Sequence, residues 1–300
     1  MISTTHKSKR VAKLLISVAF LAVISLRDLV YRLAGKKLPT YCVVLYYHSI
    51  PVEERHLFAA QMDKLIQLTT PISIESQPMM HPGIHYSAVT FDDAFENVID
   101  NAIPELRTRR IPATLFVATG VLGKDAFWWP DGARERQARI ASLEQLQQIP
   151  DDLISIGSHT VSHSRLVVLT ESAARRELLR SRMSLTHLLN RKIATFSFPY
   201  GTFTEELVTW CHEAGYERVF TTLPALAFKS DGEFVVGRVP VEPGDWPLEF
   251  QLKVMGAYRW LPYVFTLKRA ILSNVVLHNI ILWKEKTFQQ KLVTRRPTDL

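Results

Sequence analysis

The sequence predicts an α/β fold in which parallel strands are covered by helices. Three observations predict it. Short apolar runs bounded by turn residues recur from residue 41 onward, and between them lie segments whose apolar positions are spaced at three and four. Carboxylates and imidazoles follow several of the apolar runs directly, as they do at the carboxyl ends of parallel strands. With 300 residues, 47% of them hydrophobic and 22% charged, the chain can bury a large core, which argues against a disordered polymer.

The first element is a helix. Lys7, Lys9 and Arg10 lead into the apolar run 11–26, which is followed by Arg27, Arg32, Lys36 and Lys37. Its uninterrupted part, Leu14 to Leu26, is 13 residues, or about 20 Å as helix against a hydrocarbon core of about 30 Å. No small-x-small cleavage site follows, so the segment reads as an uncleaved anchor or an in-plane helix, with a helix docked on the domain as the alternative. Basic residues on both sides leave its orientation open.

Strands are expected at 41–47, 87–91, 113–118, 153–157, 194–198, 218–222 and 233–239, with helices at 56–68 and 170–190. Seven strands suit a barrel as well as an open sheet. After residue 247 the pattern is helical again, mixing aromatic, aliphatic and basic residues that fit either a packing helix or a membrane surface. The formal charge of +7 points to an anionic surface or polymer. Nucleic acid is not expected, because no basic stripe is interleaved with aromatics and no finger, homeodomain or RNP pattern occurs. Cys42 and Cys211 lack a CxxC partner and read as small buried hydrophobes.

Three stretches carry chemistry. "TFDD" places Asp92 and Asp93 at the end of a strand; "SHTVSH" places His159 and His163 four apart after another. On a first helical turn that spacing sets both imidazoles on one face, where with one carboxylate they can grip a divalent ion and leave coordination positions open. A second carboxylate beside the first then has a separate task, accepting a proton from water. The third stretch, "FSFPYG", ends a strand in a Pro-Tyr-Gly turn whose backbone N–H can face an oxyanion. Glu96 reads as a helix-start residue.

In this order and spacing, "TFDD", "HTVSH" and "FPYG" resemble the first three motifs of the polysaccharide deacetylases, carbohydrate esterase family four, with its nodulation-type deacetylase domain. The stretches "VLYYHSIP" and "FSFPYGTFTEELVTWCHEAGY" are similar to that domain too, so the resemblance covers about residues 41 to 245. It implies a distorted (β/α)7 barrel, here with an N-terminal hydrophobic helix and a C-terminal helical extension. It also implies a divalent metal, usually Zn2+, and a hydrolase that removes N-acetyl groups from an amino-sugar polymer or oligosaccharide. Carried over, Asp93, His159 and His163 would be the metal ligands, Asp92 the general base, and the Tyr200 amide part of the oxyanion hole.

The chain departs from the family pattern in places. Ser197 and Phe198 stand where many members have Arg-Pro, so the Arg that steadies the base is absent there, and Arg238 is the expected substitute. Asp245-Trp246 resembles the fourth motif loosely, with Trp246 expected to wall the sugar pocket. The general-acid motif has no match: His278 lies in the tail, and His48, after the first strand, is the better candidate. Trp128 and Trp129 suit either sugar stacking or loop anchoring.

The expected organisation is a membrane-associating helix over 1–38, a deacetylase-like catalytic domain over 39–247 and an amphipathic extension over 248–300. Two other functions remain open: a glycan-binding or assembly protein whose chemistry has lapsed, and an amidohydrolase acting on a lipid-linked sugar. The expected location is the bacterial inner membrane, with the catalytic domain exported.

Overall fold

The computed structural model describes residues 4–75 and 80–264. Two compact units divide at Arg259, the first spanning Met1–Arg259 and the second Trp260–Leu300. His278 and most of the expected C-terminal extension lie outside the described residues.

The first unit is built on a parallel sheet. Its strands are β1 (Tyr41–Tyr47), β2 (Thr70–Pro71), β3 (His85–Phe91), β4 (Ala113–Val117), β5 (Ile154–Ser158), β6 (Thr195–Ser197), β7 (Arg218–Phe220), β8 (Val235–Val236) and β9 (Val239–Pro240). They run in the order β8-β7-β6-β5-β4-β3-β1-β9, with β2 beside β3, and every strand pair is parallel. The helices are α1 (Thr4–Leu33), α2 (Arg55–Leu68), α3 (Ile103–Thr108), α4 (Leu143–Gln148), α5 (Glu171–Leu189), α6 (Glu205–Glu213) and α7 (Pro247–Val254). All seven residues of β1 are buried, as expected of a strand covered on both faces.

The ends of the strand order meet through two residues. The expected strand 233–239 divides into β8, which pairs with β7, and β9, which pairs with β1, with Gly237 and Arg238 between them. The sheet therefore curls until its first and last strands belong to one extended segment. Glycine is required at the break, because a Cβ at 237 would overlap the Leu223 carbonyl oxygen. Gln61 of α2 helps hold this seam: its amide accepts from the Tyr47 hydroxyl at 2.9 Å and donates to the Glu242 and Pro243 carbonyls at 2.9 and 3.1 Å.

Ladder bonds continue one residue beyond several strands. The Asp92 N–H donates to Tyr47 O, the His159 N–H to Val117 O and the Phe198 N–H to Phe220 O, at 2.9, 2.9 and 3.1 Å. The residues after β3, β5 and β6 are thereby held at one rim of the curled sheet, where their side chains can converge without opening the core.

Candidate metal and catalytic site

His48, Asp92, Asp93, Trp128, Trp129, His159, His163 and Tyr200 line one cavity of about 400 Å³ at that rim. Arg238 lies against its floor, fully buried. Its guanidinium donates to Asp92 Oδ1 at 2.8 Å and Oδ2 at 2.7 Å, to Thr90 Oγ1 at 3.0 Å, to Ser197 Oγ at 2.7 Å and to the Thr221 carbonyl at 3.3 Å. That uses all five donors of the guanidinium, so the buried cation is fully satisfied. Tyr46 and Phe116 present ring faces at 4.7 and 5.3 Å. Burial by itself would raise the Asp92 carboxyl; Arg238, together with His159 and His48, reverses this and holds it below the usual carboxylate range.

Asp93, His159 and His163 are buried and offer three ligand atoms within 4.8 Å of one another. The His159 Nδ1 lies 2.7 Å from the Ser197 carbonyl, which can only accept, so the proton is on Nδ1 and the Nε2 lone pair faces the cluster. Burial pushes the His159 imidazole down to about 4, so it is neutral at pH 7, as a ligand must be. Asp93 Oδ1 lies 3.7 and 3.1 Å from the Nε2 atoms of His159 and His163 but accepts no hydrogen bond. Burial would raise the Asp93 carboxyl, yet the His163, His48 and His159 rings outweigh it and keep it well below its ordinary value. A buried carboxylate oxygen without a donor, facing two imidazole nitrogens, is the donor set a divalent cation fits.

The second Asp93 oxygen is held from the other side. The indole N–H groups of Trp128 and Trp129 both donate to Oδ2, at 3.3 and 3.2 Å, and Trp128 stacks on His163 with ring centroids 4.2 Å apart. Of the two roles weighed for this pair, anchoring has these contacts behind it. His48 meets Trp129 edge to face at 5.1 Å.

The imidazole pair is not on a helix, contrary to the expectation from its spacing. Residues 159–165 form a loop in which Thr160 has φ 70° and His163 φ 55°. Glu177 of α5 holds this loop, accepting from the Val161 and Ser162 N–H groups at 2.8 and 2.9 Å and from the Ser162 hydroxyl at 2.9 Å. Tyr200 also has positive φ, 60°, beside Gly201 at 66°, and its ring lies between His163 and the Arg165 guanidinium at 5.0 and 4.6 Å. Asp93 and Ala94, at φ 69° and 54°, complete a concentration of left-handed non-glycine residues in the three motifs. Such strain persists where the surroundings over-determine it, commonly at functional sites.

Trp246 is placed elsewhere. With Asp245 it lines a separate, more apolar groove of about 630 Å³ between α2 and residues 243–251, which holds none of the three motifs. Asp245 pairs there with Lys253 Nζ at 2.6 Å. The expectation that Trp246 walls the sugar pocket is therefore corrected: the turn 243–246 leads the chain out of the rim and into α7. Thr90 and Ser197 lie within the first and third stretches, but their part as supports of the site is not readable from the sequence, and Glu177 lies outside all three stretches.

A curled parallel sheet carrying a buried carboxylate–imidazole cluster at its rim describes a class of α/β hydrolytic enzymes, and comparison with known proteins defines the class further. Residues 81–219, a little under half of the chain, match the sequence model of the family described as polysaccharide deacetylase, a family of hydrolases of carbon–nitrogen bonds other than peptide bonds. The Bacillus subtilis protein YxkH, whose name assigns it provisionally to the polysaccharide deacetylases, is 28% identical over 220 residues, 69% of this chain and 73% of its own length. Poly-beta-1,6-N-acetyl-D-glucosamine N-deacetylases of Staphylococcus aureus are 23% identical over 154 residues, and this chain spans about half their length (52%). Among solved structures, IcaB from Ammonifex degensii superposes with a TM-score of 0.60 at 26% identity, covering 72% of this chain and 98% of that one. The Streptococcus pyogenes deacetylase PplD, at TM-score 0.56 and 20% identity, shares the fold over 73% of this chain and 98% of its own.

Proposed function

We propose that this chain removes N-acetyl groups from an amino-sugar polymer or oligosaccharide, with a divalent cation, Zn2+ foremost, held by Asp93, His159 and His163. The observation that carries the proposal is the pairing of two adjacent carboxylates in opposite surroundings. Asp92 is saturated by Arg238, whereas Asp93 keeps one buried oxygen free toward two imidazoles. A cation bound there supplies Lewis acidity and lowers the pKa of water.

The chain's own groups then divide the reaction. Asp92, kept ionised by Arg238, accepts a proton from the attacking water. The water oxygen bonds to the acetamide carbon, and the carbonyl oxygen gains negative charge. The Tyr200 backbone N–H, fixed by the strained Pro199-Tyr200-Gly201 turn, donates to that oxygen. The carbon–nitrogen bond breaks as His48 protonates the leaving amine, giving acetate and the free amino sugar. The S. aureus relatives, named for poly-beta-1,6-N-acetyl-D-glucosamine, support an N-acetylglucosamine polymer as the substrate class.

The working division of the chain is a membrane-associating helix over 1–38, a catalytic domain over 39–247 and a C-terminal extension over 248–300, at a bacterial inner membrane with the catalytic domain exported. The long apolar N-terminal helix supports that location. Acetate release from β-1,6-linked N-acetylglucosamine oligomers, measured on chelated and zinc-restored protein, tests the activity. Zinc should restore release, and Asp92→Asn and His159→Ala should abolish it; unchanged release in either variant contradicts the assignment.

A further inference from the structure

The outward face of α1 is apolar, unlike that of a surface helix in water. Arg10, Leu14 and Ser17, and two heptads further on Ile24, Asp28 and Tyr31, form with Phe20, Leu21 and Arg27 between them the less exposed stripe of the helix. That stripe, turned toward the body, is mixed: it holds Leu14, Phe20, Leu21 and Ile24, and also the charged and hydroxyl groups of the helix at Arg10, Ser17, Arg27, Asp28 and Tyr31. The opposite face is apolar from end to end: Val11, Leu15, Val18, Leu26, Leu29 and Leu33 recur at helical spacing, and Leu15, Leu26 and Leu33 are 64, 63 and 80% exposed. At about 100° per residue, no charged side chain between Val11 and Leu33 falls on that outward half.

The stripe is tied to the domain along its length. Arg10 Nε donates to Glu249 Oε2 at 2.6 Å, and its guanidinium lies 4.4 Å from the Trp246 ring centroid. Ten residues on, the Arg259 guanidinium lies 5.3 Å from the Phe20 ring centroid, and Ser17 and Ile24 are buried. The contact stripe from Arg10 to Tyr31 is about 30 Å long, as long as the hydrocarbon core is thick. A helix crossing the bilayer would have to give up all of these contacts or carry the folded body into hydrocarbon.

We propose that α1 does not span: it lies in the plane of an anionic bilayer surface, its contact stripe on the domain and its apolar face among the lipid chains. The proposal rests on the membrane location given above and deepens it. Charge selects lipid as the occupant. The first 40 residues hold eight basic side chains against one acidic, Asp28, and that acid is paired with Arg27 at 2.7 Å. Lys7, Lys9 and Lys13 at one end and Arg32, Lys36 and Lys37 at the other are exposed, placed to reach headgroups on either side of the apolar face. A second copy of the chain on this face would bring two such basic sets together.

The full chain should sediment with vesicles containing phosphatidylglycerol and at least tenfold less with phosphatidylcholine alone. Leu15→Glu/Leu26→Glu should lower the bound fraction at least tenfold. Leu15→Ala/Leu26→Ala, which leaves the helix and its docked stripe intact, should lower it by a smaller, measurable factor. Lys7→Cys and Lys36→Cys, probed in spheroplasts with an impermeant maleimide, should both react from the same side. Labelling from opposite sides overturns the in-plane geometry while leaving membrane association standing. Failure to bind either vesicle overturns both, and a dimer abolished by Leu15→Glu assigns the face to a second copy instead. Acetate release from a soluble oligomer should be unaffected in all four proteins, so loss of lipid binding is read separately from the deacetylase assignment.

Discussion

Arg238 and Asp92 are 146 residues apart in sequence and share two hydrogen bonds, 2.8 and 2.7 Å, inside a fully buried pocket of aromatic rings. The pair joins the seam that closes the sheet to the rim that carries the site. Removing one partner of a buried ion pair strands the other, so Arg238→Met should cost about 3–5 kcal/mol. Its stranded Asp92 should bind a proton more readily, moving the acid limb of the pH–rate profile upward. Replacing both residues, Arg238→Met with Asp92→Leu, should recover most of the stability and none of the activity. Urea unfolding midpoints and pH–rate profiles check this, and a double variant no more stable than the single one rejects it.

Glu177 does for the histidine loop what Arg238 does for Asp92. Its carboxylate accepts two backbone N–H groups and a hydroxyl from Val161 and Ser162, fixing the residues between the two imidazoles. Glu177→Gln keeps the shape but loses the charge and one acceptor, so zinc affinity should fall about 10–100-fold, the range for outer-shell partners. Competition against a zinc indicator measures it. A variant that binds zinc as the parent does would show that the loop holds itself.

Much of the α/β reading was legible because strands buried on both faces leave unbroken apolar runs, and the expected strand positions match β1 and β3–β7 to within two or three residues. The division of 233–239 was not legible, since the two halves pair with strands that are neighbours only after the sheet has curled. The candidate site was legible only as residue types and their order, which the fold brings to one rim. Its geometry was not: HxxxH was read with a helical period, whereas Thr160 and His163 take left-handed backbone that spacing does not disclose. Glu177 sits in a charged helix face and looks solvated until the loop it holds is folded. Trp246 was assigned from motif order alone, but the turn before it redirects the chain.

The acid stability of the metal-free protein should report His159. Free histidine titrates near 6.5, whereas His159 is pushed down to about 4 by burial. Between these values the unfolded chain binds a proton that the folded protein does not, so this stability is fully present above pH 6.5 and is lost progressively as pH falls to 4. Asp92 and Asp93, both held below 3.8, contribute below that window. His85, also lowered by burial, acts in the same direction, so the informative quantity is a difference. His159→Gln should flatten the dependence of Tm on pH between 6.5 and 4, and an unaltered slope means that His159 does not titrate there.

Trp128 and Trp129 hold Asp93 through their indole N–H groups, and Trp128 stacks on His163. Trp129→Phe keeps a ring of similar width and removes one donor to Asp93 Oδ2. It should weaken metal binding about 10–100-fold, because a hydrogen bond to a charged group contributes about 1.5–3 kcal/mol and about 1.4 kcal/mol is tenfold. Quenching of indole fluorescence by Co2+ titration gives the affinity directly. If the variant binds Co2+ as tightly as the parent while losing turnover, the residue serves substrate rather than the cluster.

The Pro199-Tyr200-Gly201 turn offers a test of the oxyanion assignment that leaves every ionisable group in place. Gly201 has φ 66°, and a Cβ there would overlap the Thr222 side chain. Two costs are therefore superimposed in Gly201→Ala: about 1–2 kcal/mol for left-handed backbone in a residue with a Cβ, and a steric clash with Thr222. Adding Thr222→Gly removes the clash alone, so the double variant should regain stability but not fully. If the turn aims the Tyr200 amide, Gly201→Ala should lower kcat about 10²–10³-fold, the loss expected for one oxyanion donor, with KM little changed. The double variant should recover part of kcat in step with its stability. Zinc affinity should stay at the parent value in both, since the proposed ligands lie just after β3 and in the loop after β5. A Gly201→Ala protein with normal kcat would remove the turn from the mechanism.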